Sequence, residues 1–462
     1  MRVRLYLVAG KVTDSVTQGF LPAAVRLDLE VIVLTDRPSD HERAYASGLG
    51  PQASGDLRRV SVTGCEVTDF REIIEHARTP DAIFSNSDHL QAPTALAAAY
   101  FGLPAKDWRA ATRTKNKALM RRHLADLGLD RVAIGDPADA VPFPAVLKPR
   151  EGVASEDVFL VSGATELSGR VAEIRRHRAD PLVLEEYLPG PLHTLETLGD
   201  GRSLAVLGSF RTALSPPPFF VEERLDWAPP PPETGQVLTQ LAALGVGFGA
   251  CHTEFVVHEG RARLIEVNYR IIGDHVDFLL ADLLGSPIFE YVLRVHLGDP
   301  LDDLVRRDPV VHAGSGSVCA PGADAGAVPS DPRVAEIAAA GAGGVRRLVA
   351  GPRYSAPASS QEDLTGSRED LWRGAADAGW HAAVDNVLAE RSGTLTAAPG
   401  PLDRRADGVR LTYRPLRVPG DQITLTRTNR DYLGIIQVIA PSPAAVEAAL
   451  RDFRAEHTWE IT

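Results

Sequence analysis

The chain has 462 residues, too many for one ordinary core and enough for roughly two to four domains. Hydrophobic residues make up 44% and charged residues 24%, as in soluble globular proteins. A net charge of −12, from 49 basic and 61 acidic side chains, argues against a dedicated nucleic-acid binder and against attraction to anionic membranes.

The N-terminus, MRVRLYLVAGKVTDS, has an apolar run too short and too soon interrupted by charge for a signal peptide. RLYLVAG therefore reads as a first strand, and EVIVLTD (30–36) as a second, with the helically spaced SVTQGFLPAAVRLDL between them. A further strand, DAIFSN (81–86), precedes a helix through PTALAAAYFG. Such alternation predicts a parallel sheet flanked by helices, a Rossmann-like α/β domain over residues 1–105. TKNKALMRRHLADLGL (114–129) reads as one helix. Short strands FPAVLKP, DVFLVSG and PLVLEEYL follow, interleaved with the helical ELSGRVAEIRRHR.

Residues 203–270 are strand-rich but broken by prolines at 216–218 and 229–232, which cannot occupy a central strand. That region is expected to be a long surface loop, a wall over a substrate. QVLTQLAALG is helical. Gly, Ala, Pro and Ser crowd residues 321–368 and 392–401, suggesting linkers around a smaller C-terminal α+β module. That module ends with the strand YLGIIQVIA and the helix PAAVEAALRDFRAEH. No stretch approaches the roughly 18 to 20 apolar residues that span a bilayer. Cys65, Cys251 and Cys319 show no metal-ligand spacing, which suits reduced thiols in a cytoplasmic protein.

The stretch LIEVNYRIIGDH (264–275) is denser in chemistry than the rest. Glu266, Asn268 and Arg270 recur at every second position and share one face of a strand. The preceding CHTEFVVHEGRARLIEVN reads as a hairpin turning near Gly260, with Glu254 six residues before the turn and Glu266 six after. The two carboxylates become cross-strand neighbours, a repulsive arrangement that a divalent cation reverses. Oxygen ligands from Glu254, Glu266 and Asn268 suit Mg²⁺ or Mn²⁺; the competing reading is a solvated polar hairpin face. His252 is read as facing the opposite side from Glu254, in the core. Cations for phosphate are sought elsewhere. Lys148 ends an apolar strand before a loop with Gly152, Ala154 and Ser155, whose N–H groups suit phosphate oxygens. Lys117 is a second candidate; taken alone, either reads more readily as a solvated surface lysine. Asp88 and His89 close a strand where open α/β sheets bind ligands, with a helix cap as the alternative for Asp88.

These pieces, in this order, resemble the ATP-grasp superfamily, over about residues 80–300 and with a fitting N-terminal domain. The resemblance implies a two-lobed ATP-grasp domain over 106–305, with its lid lobe near 140–190 and a C-terminal module over 306–462. It implies that Lys117 and Lys148 hold ATP phosphates. Glu185, Glu186 and Leu188 match the hinge that reads adenine, with His193 near the ribose. Glu254, Glu266 and Asn268 match the Mg²⁺ ligands, two ions being the family pattern. Arg270 matches the arginine facing the acyl phosphate, and Asp274 stands where biotin carboxylases carry a glutamate base. The loop after Lys148 is poorer in glycine than in those carboxylases, and Leu192 replaces a glutamate found in many amino-acid ligases.

The activity implied is ligation of a small-molecule carboxylate to an amine through an acyl phosphate. Stand-alone amino-acid ligases, and ligases of siderophore or other secondary-metabolite pathways, are the nearer likeness, with a homodimer suggested by relatives. A carboxylase forming carboxyphosphate and a non-catalytic nucleotide-binding protein are the competing readings. A dehydrogenase is rejected, because AGKVTDS contains no GxGxxG and GSGSVC (314–319) lacks the third glycine.

Overall fold

The computed structural model describes residues 2–46, 59–306 and 379–462, all of which fall in one compact unit. Cys319, the GSGSVC motif and the linker expected over 321–368 lie outside the described residues. Strands β1 (Arg4–Val8), β2 (Glu30–Thr35), β3 (Val60–Gly64) and β4 (Ala82–Phe84) form a parallel sheet in the order β3-β2-β1-β4. Strands β1, β2 and β4 are mostly apolar and buried because helices cover the sheet, while the edge strand β3 is more polar and partly exposed. The chain reverses its direction of travel across the sheet between β1 and β4. That switch point opens a crevice at the strand ends.

The segment expected as one helix over 114–129 is two, Trp108–Lys115 and Lys117–Asp126. The cause is Asn116, whose extended backbone (φ −100°, ψ 103°) ends the first helix while its side chain accepts from Leu119 N at 3.1 Å and caps the second. The break sets Lys117 in the first turn, facing inward. Asn116→Ala is expected to lower the unfolding free energy by about 1 kcal/mol, read from the urea midpoint.

A small antiparallel sheet follows, made of β5 (Ile134–Gly135), β6 (Ala145–Pro149), β7 (Phe159–Val161) and β8 (Leu182–Glu186), ordered β5-β8-β6-β7. The helix Ala164–Ile174 packs on it through Leu167 and Ile174. The chain then enters the largest sheet with β9 (Leu192–Asp200), β10 (Leu204–Leu214), β11 (Glu222–Trp227), β12 (Phe248–His258) and β13 (Arg261–Asn268).

The surface loop expected across the proline clusters is interrupted by β11. Its six residues lie between the two clusters, free of proline, and pair with β10 on one side. On the other side β11 pairs with β14 (His381–Leu388). The remaining strands are β15 (Gly393–Ala397), β16 (Leu402–Ala406), β17 (Val409–Pro415), β18 (Gln422–Ile423), β19 (Tyr432–Ala440) and β20 (Glu460–Ile461). Strands β14, β19, β17 and β16 continue the large sheet, giving the order β13-β12-β9-β10-β11-β14-β19-β17-β16. The C-terminal residues thus share a sheet with the hairpin that carries Glu254 and Glu266.

One apolar cluster joins the parallel sheet to the large one, through Leu7 and Phe84 on one side and Leu198, Phe210, Trp227 and Ile435 on the other. The helices Val276–Leu284 and Ile288–His296 supply its middle layer. Close packing of this kind leaves no room at Gly208, where a Cβ would sit 2.3 Å from the Trp227 ring. Among the described residues no helix is long and apolar enough to cross a membrane, and Cys65 and Cys251 are free thiols.

Candidate active site

The β12–β13 hairpin turns through Glu259 and Gly260, both at positive φ (50° and 69°), as a two-residue hairpin requires. By that turn alone, Glu254 would face Ile265. A β-bulge between Glu254 and Phe255 adds one residue to β13, so that Phe255 pairs with Leu264 and Glu254 with Glu266. The bulge also turns Ile265 and Glu266 toward the same cavity, as an unpaired extra residue permits. His252, expected on the far face, is two residues from Glu254 and so shares its face. Its Nε2 lies 3.4 Å from Glu254 Oε1 and its Nδ1 2.8 Å from Glu196 Oε1. Burial opposes charge on this imidazole, yet Glu196 and then Glu254 raise its pKa to about 10. Burial pushes the Glu254 carboxyl up, but His252, followed by Lys117 and Arg270, outweighs it and holds the carboxyl lowered.

Two cavities meet at this hairpin. The smaller is an apolar slot between the small antiparallel sheet and the large sheet, lined by Val146, Val158, Leu188, Leu192, Val256 and Ile265. Glu185, Glu186, Lys117 and Lys148 also border it. The larger, of about 720 Å³, is polar and runs to the switch point of the parallel sheet. Glu222, Glu254, Glu266, Val153 and Ser155 border both. Asn268, Arg270 and Asp274 line the larger one, beside Gly10–Ser15 after β1 and Asn86–Leu90 after β4.

Lys117 donates to Glu266 Oε1 at 2.8 Å. Burial works against its charge, and Glu266 outweighs it, so the lysine pKa is raised. Lys148 and Arg121 both pair with Glu185, and all three side chains are buried. Burial pushes the Glu185 carboxyl up, but the two cations pull it down to about 2. Lys148 shifts down instead, because burial and the neighbouring Lys117 and Arg121 outweigh its share of one carboxylate. Glu185, implied as part of an adenine hinge, therefore has its carboxylate engaged in orienting Lys148. Glu186 Oε2 accepts from Ala133 N at 3.1 Å, and Leu188 presents an apolar wall to the slot.

His193, implied beside the ribose, is not brought there. Side chains alternate along β9, so Leu192 borders the slot while the His193 ring stacks on Phe255 across the sheet, centroids 5.6 Å apart. Asp88 opens a 3₁₀ turn rather than capping it, and its carboxylate pairs with Lys115.

The loop after Lys148 adopts left-handed backbone at Ala154, Ser155 and Asp157 (φ 56°, 55° and 58°), a conformation that favours glycine. Tertiary contacts hold it there. Ser155 Oγ donates to Phe220 O at 2.8 Å, Asn429 N donates to Ala154 O at 3.1 Å, and Arg430 pairs with Glu156 at 2.6 Å. Sequence reasoning missed the C-terminal half of this site, and also Lys106. That buried lysine donates to Gln91 Oε1 at 2.7 Å and to the Tyr269 carbonyl, anchoring the chain between Asn268 and Arg270. An isolated lysine between two helices carries no local signal for such a role.

The donor set of Glu254, Glu266 and Asn268 fits Mg²⁺. Two like-charged carboxylates are register partners, the amide of Asn268 is buried beside them, and no thiolate is near. Among the described residues no group of three or more His, Cys, Asp or Glu is placed to hold an ion alone.

No family model matches the chain. A protein of Sinorhizobium fredii, "uncharacterized protein y4rH", is 28% identical over 321 residues, 62% of this chain and 63% of that one. Carnosine synthase 1 of Gallus gallus is 26% identical over 352 residues, 65% of this chain and 36% of that one. The chain thus spans less than two thirds of the length of these curated relatives. Among solved structures, an L-amino acid ligase from Bacillus licheniformis superposes with a TM-score of 0.68 at 18% identity, covering 100% of this chain and 99% of that one. Phosphoribosylglycinamide synthetase from Anaerococcus prevotii gives 0.63 at 12% identity, with 100% of both chains covered. Biotin carboxylase from Campylobacter jejuni gives 0.60 at 15%, covering 100% and 92%. The chain has the fold of the ATP-grasp ligases.

Proposed function

We propose that the protein is an ATP-dependent carboxylate–amine ligase that forms an amide or peptide bond through an acyl phosphate and releases ADP and phosphate. The observation that carries this reading is the meeting of the apolar slot and the polar cavity at Glu254 and Glu266, with Lys117 and Lys148 beside the junction. A purine ring suits the slot between Val146, Leu188 and Ile265, leaving its phosphates at the junction. There Lys148, oriented by Glu185, and Lys117, oriented by Glu266, supply positive charge in a site shielded from water.

Glu254, Glu266 and Asn268 would hold Mg²⁺, which when bound neutralises phosphate charge and orients the γ-phosphate for in-line attack. Mn²⁺ suits the same oxygens, and a second ion would share the carboxylates. A carboxylate in the polar cavity attacks the γ-phosphorus, breaking its bond to the β-phosphate oxygen. Arg270, lining that cavity beside Asn268, meets the negative charge on the transferring group. The amine nitrogen then attacks the acyl carbon, phosphate leaves, and the amine proton passes to a cavity carboxylate, for which Asp274, lining the same cavity, is the candidate. The loop 149–157 covers the phosphates and excludes water, which would otherwise hydrolyse the acyl phosphate.

The reading extends to small-molecule substrates, a cytoplasmic setting, a homodimer, and a place in dipeptide, siderophore or other natural-product synthesis. Phosphate release from MgATP against a matrix of carboxylates and amines, citrate and amino acids included, tests it. Release that requires one carboxylate and one amine together is expected, at least about tenfold above either alone. Release with bicarbonate alone would replace the ligase with a carboxylase, and ATP binding without turnover on any pair would end the catalytic reading.

A further inference from the structure

Asn386, on β14, lines the polar cavity yet is only 5% exposed. Its Nδ2 donates to the Glu222 carbonyl at 3.0 Å. A carbonyl only accepts, so this bond fixes the amide orientation and leaves Oδ1 as the free end. Oδ1 is buried and has no hydrogen-bond partner within the protein. Buried acceptors without a donor are uncommon in folded proteins, and this one belongs to a cavity wall.

Glu222, on the neighbouring β11, borders the same cavity. Two residues of the C-terminal region hold it in place through three hydrogen bonds. Asn429 Oδ1 accepts from Glu222 N at 3.0 Å, Asn429 Nδ2 donates to Glu222 Oε1 at 3.2 Å, and the Tyr432 hydroxyl donates to the Glu222 carbonyl at 2.9 Å. Asp274 approaches from a third element. It and His275 sit at left-handed backbone (φ 51° and 64°), a strained pair of non-glycine residues. Gln437 Nε2 holds the turn through the His275 carbonyl at 2.6 Å, and Asp14 pairs with the His275 ring at 3.2 Å. Burial, followed by Glu254 and Asp274, outweighs His252 and raises the Glu222 carboxyl to about 8. Glu222 and Asp274 thus stand close enough to act on one another, and the unpartnered Asn386 Oδ1 adds a third acceptor on the same cavity.

The geometry points to a subsite for a protonated primary amine, made by Glu222, Asp274 and the Asn386 Oδ1. All three groups accept, they come from three separate elements, and a three-donor ammonium satisfies them together. Under the ligase reading, on which its role but not its existence rests, this subsite receives the acceptor as its ammonium, which passes one proton to Glu222 to free the nitrogen lone pair before attack on the acyl carbon. Its walls come from β11 and β14, so the C-terminal strands select the acceptor's charge. An anionic nucleophile is repelled from the same corner.

Calorimetric titration of glycinamide into the full chain, with Mg²⁺ and a non-hydrolysable ATP analogue present, tests the subsite. Glycolamide, with a hydroxyl in place of the amine, is the control. The wild type should bind glycinamide and not glycolamide, and both Asn386→Leu and Glu222→Gln should weaken glycinamide binding at least about tenfold, as expected for losing a hydrogen bond to a charged group. Glu222→Gln keeps the side-chain shape and decides the matter should Asn386→Leu fail to fold. Absent glycinamide binding, equal binding of glycolamide, or affinity unchanged in Glu222→Gln would overturn the proposal.

A parallel assay separates it from the ligase reading. Hydroxylamine, largely uncharged at neutral pH, traps acyl phosphates without needing an ammonium site. ATP-dependent hydroxamate formation should therefore survive in both variants, at within about threefold of wild type, while ligation to cationic amines falls. Glycinamide binding without hydroxamate from any carboxylate would sink the ligase and leave the ammonium site standing. Hydroxamate formation without an effect of the variants on glycinamide binding would do the opposite.

Discussion

Glu266→Gln is expected to cut Mg²⁺-dependent ATP turnover at least about a thousandfold, a loss of several kcal/mol in stabilising charge at the transferring phosphate. Glu266 is the register partner of Glu254 and also the acceptor for Lys117. Glutamine keeps the shape and an acceptor oxygen for the lysine, but it removes the charge that a divalent cation needs. It relieves the repulsion between cross-strand carboxylates but strips the buried Lys117 of its counter-charge, so the fold should persist while the melting temperature falls by a few degrees. Turnover near the wild-type rate at saturating Mg²⁺ would remove Glu266 from the metal site and take the mechanism with it.

Arg121→Met should be the most damaging single change to stability. Arg121 and Lys148 share the carboxylate of Glu185 in the interior, and Arg121 also lies 3.5 Å from Asp130. Removing one member of a buried charge cluster leaves another uncompensated, at a cost of about 3–5 kcal/mol, measurable by chemical denaturation. The variant should also bind ATP more weakly, because Glu185 then pulls Lys148 without its counterweight. The pH dependence has a defined sign. Glu185 titrates near 4.3 when unfolded and at about 2 when folded. A depressed folded value means the stabilisation is complete above the unfolded value and is lost as pH falls through about 2. With Arg121 gone the folded value rises, so Arg121→Met should lose its remaining stability at a higher pH than the wild type. Parallel acid-unfolding curves for the two proteins would contradict this assignment.

Periodicity made much of the molecule legible beforehand. A two-residue repeat of apolar and β-branched side chains is a local property, and β2, β6, β8 and β19 stand where it placed them. The same repeat grouped Glu266, Asn268 and Arg270, which line one cavity. It paired Glu254 with Glu266 as well, though by a symmetry that the hairpin does not have. The turn is one half-step off, and the bulge at Ile265 restores the pairing. A bulge depends on what packs on both sides of a strand, so local pattern does not announce it.

The misplacements have equally physical causes. β11 hid between prolines because its partner β14 lies more than 150 residues away in sequence, and pairing at that distance leaves no local trace. Glu185 looked like a strand-end carboxylate facing a ligand, and only packing shows Arg121 reaching it from the helix Lys117–Asp126. His193 was carried over by position along the chain, while the alternation of β9 turns it away from the slot. The sequence by itself determined most of the strands and helices and the chemical character of the carboxylate-bearing hairpin, since each follows from short-range spacing. Which carboxylates are neutralised, which stay in excess, and that the C-terminal strands wall the polar cavity were decided by tertiary structure, because burial and charge pairing are set by neighbours distant in the chain.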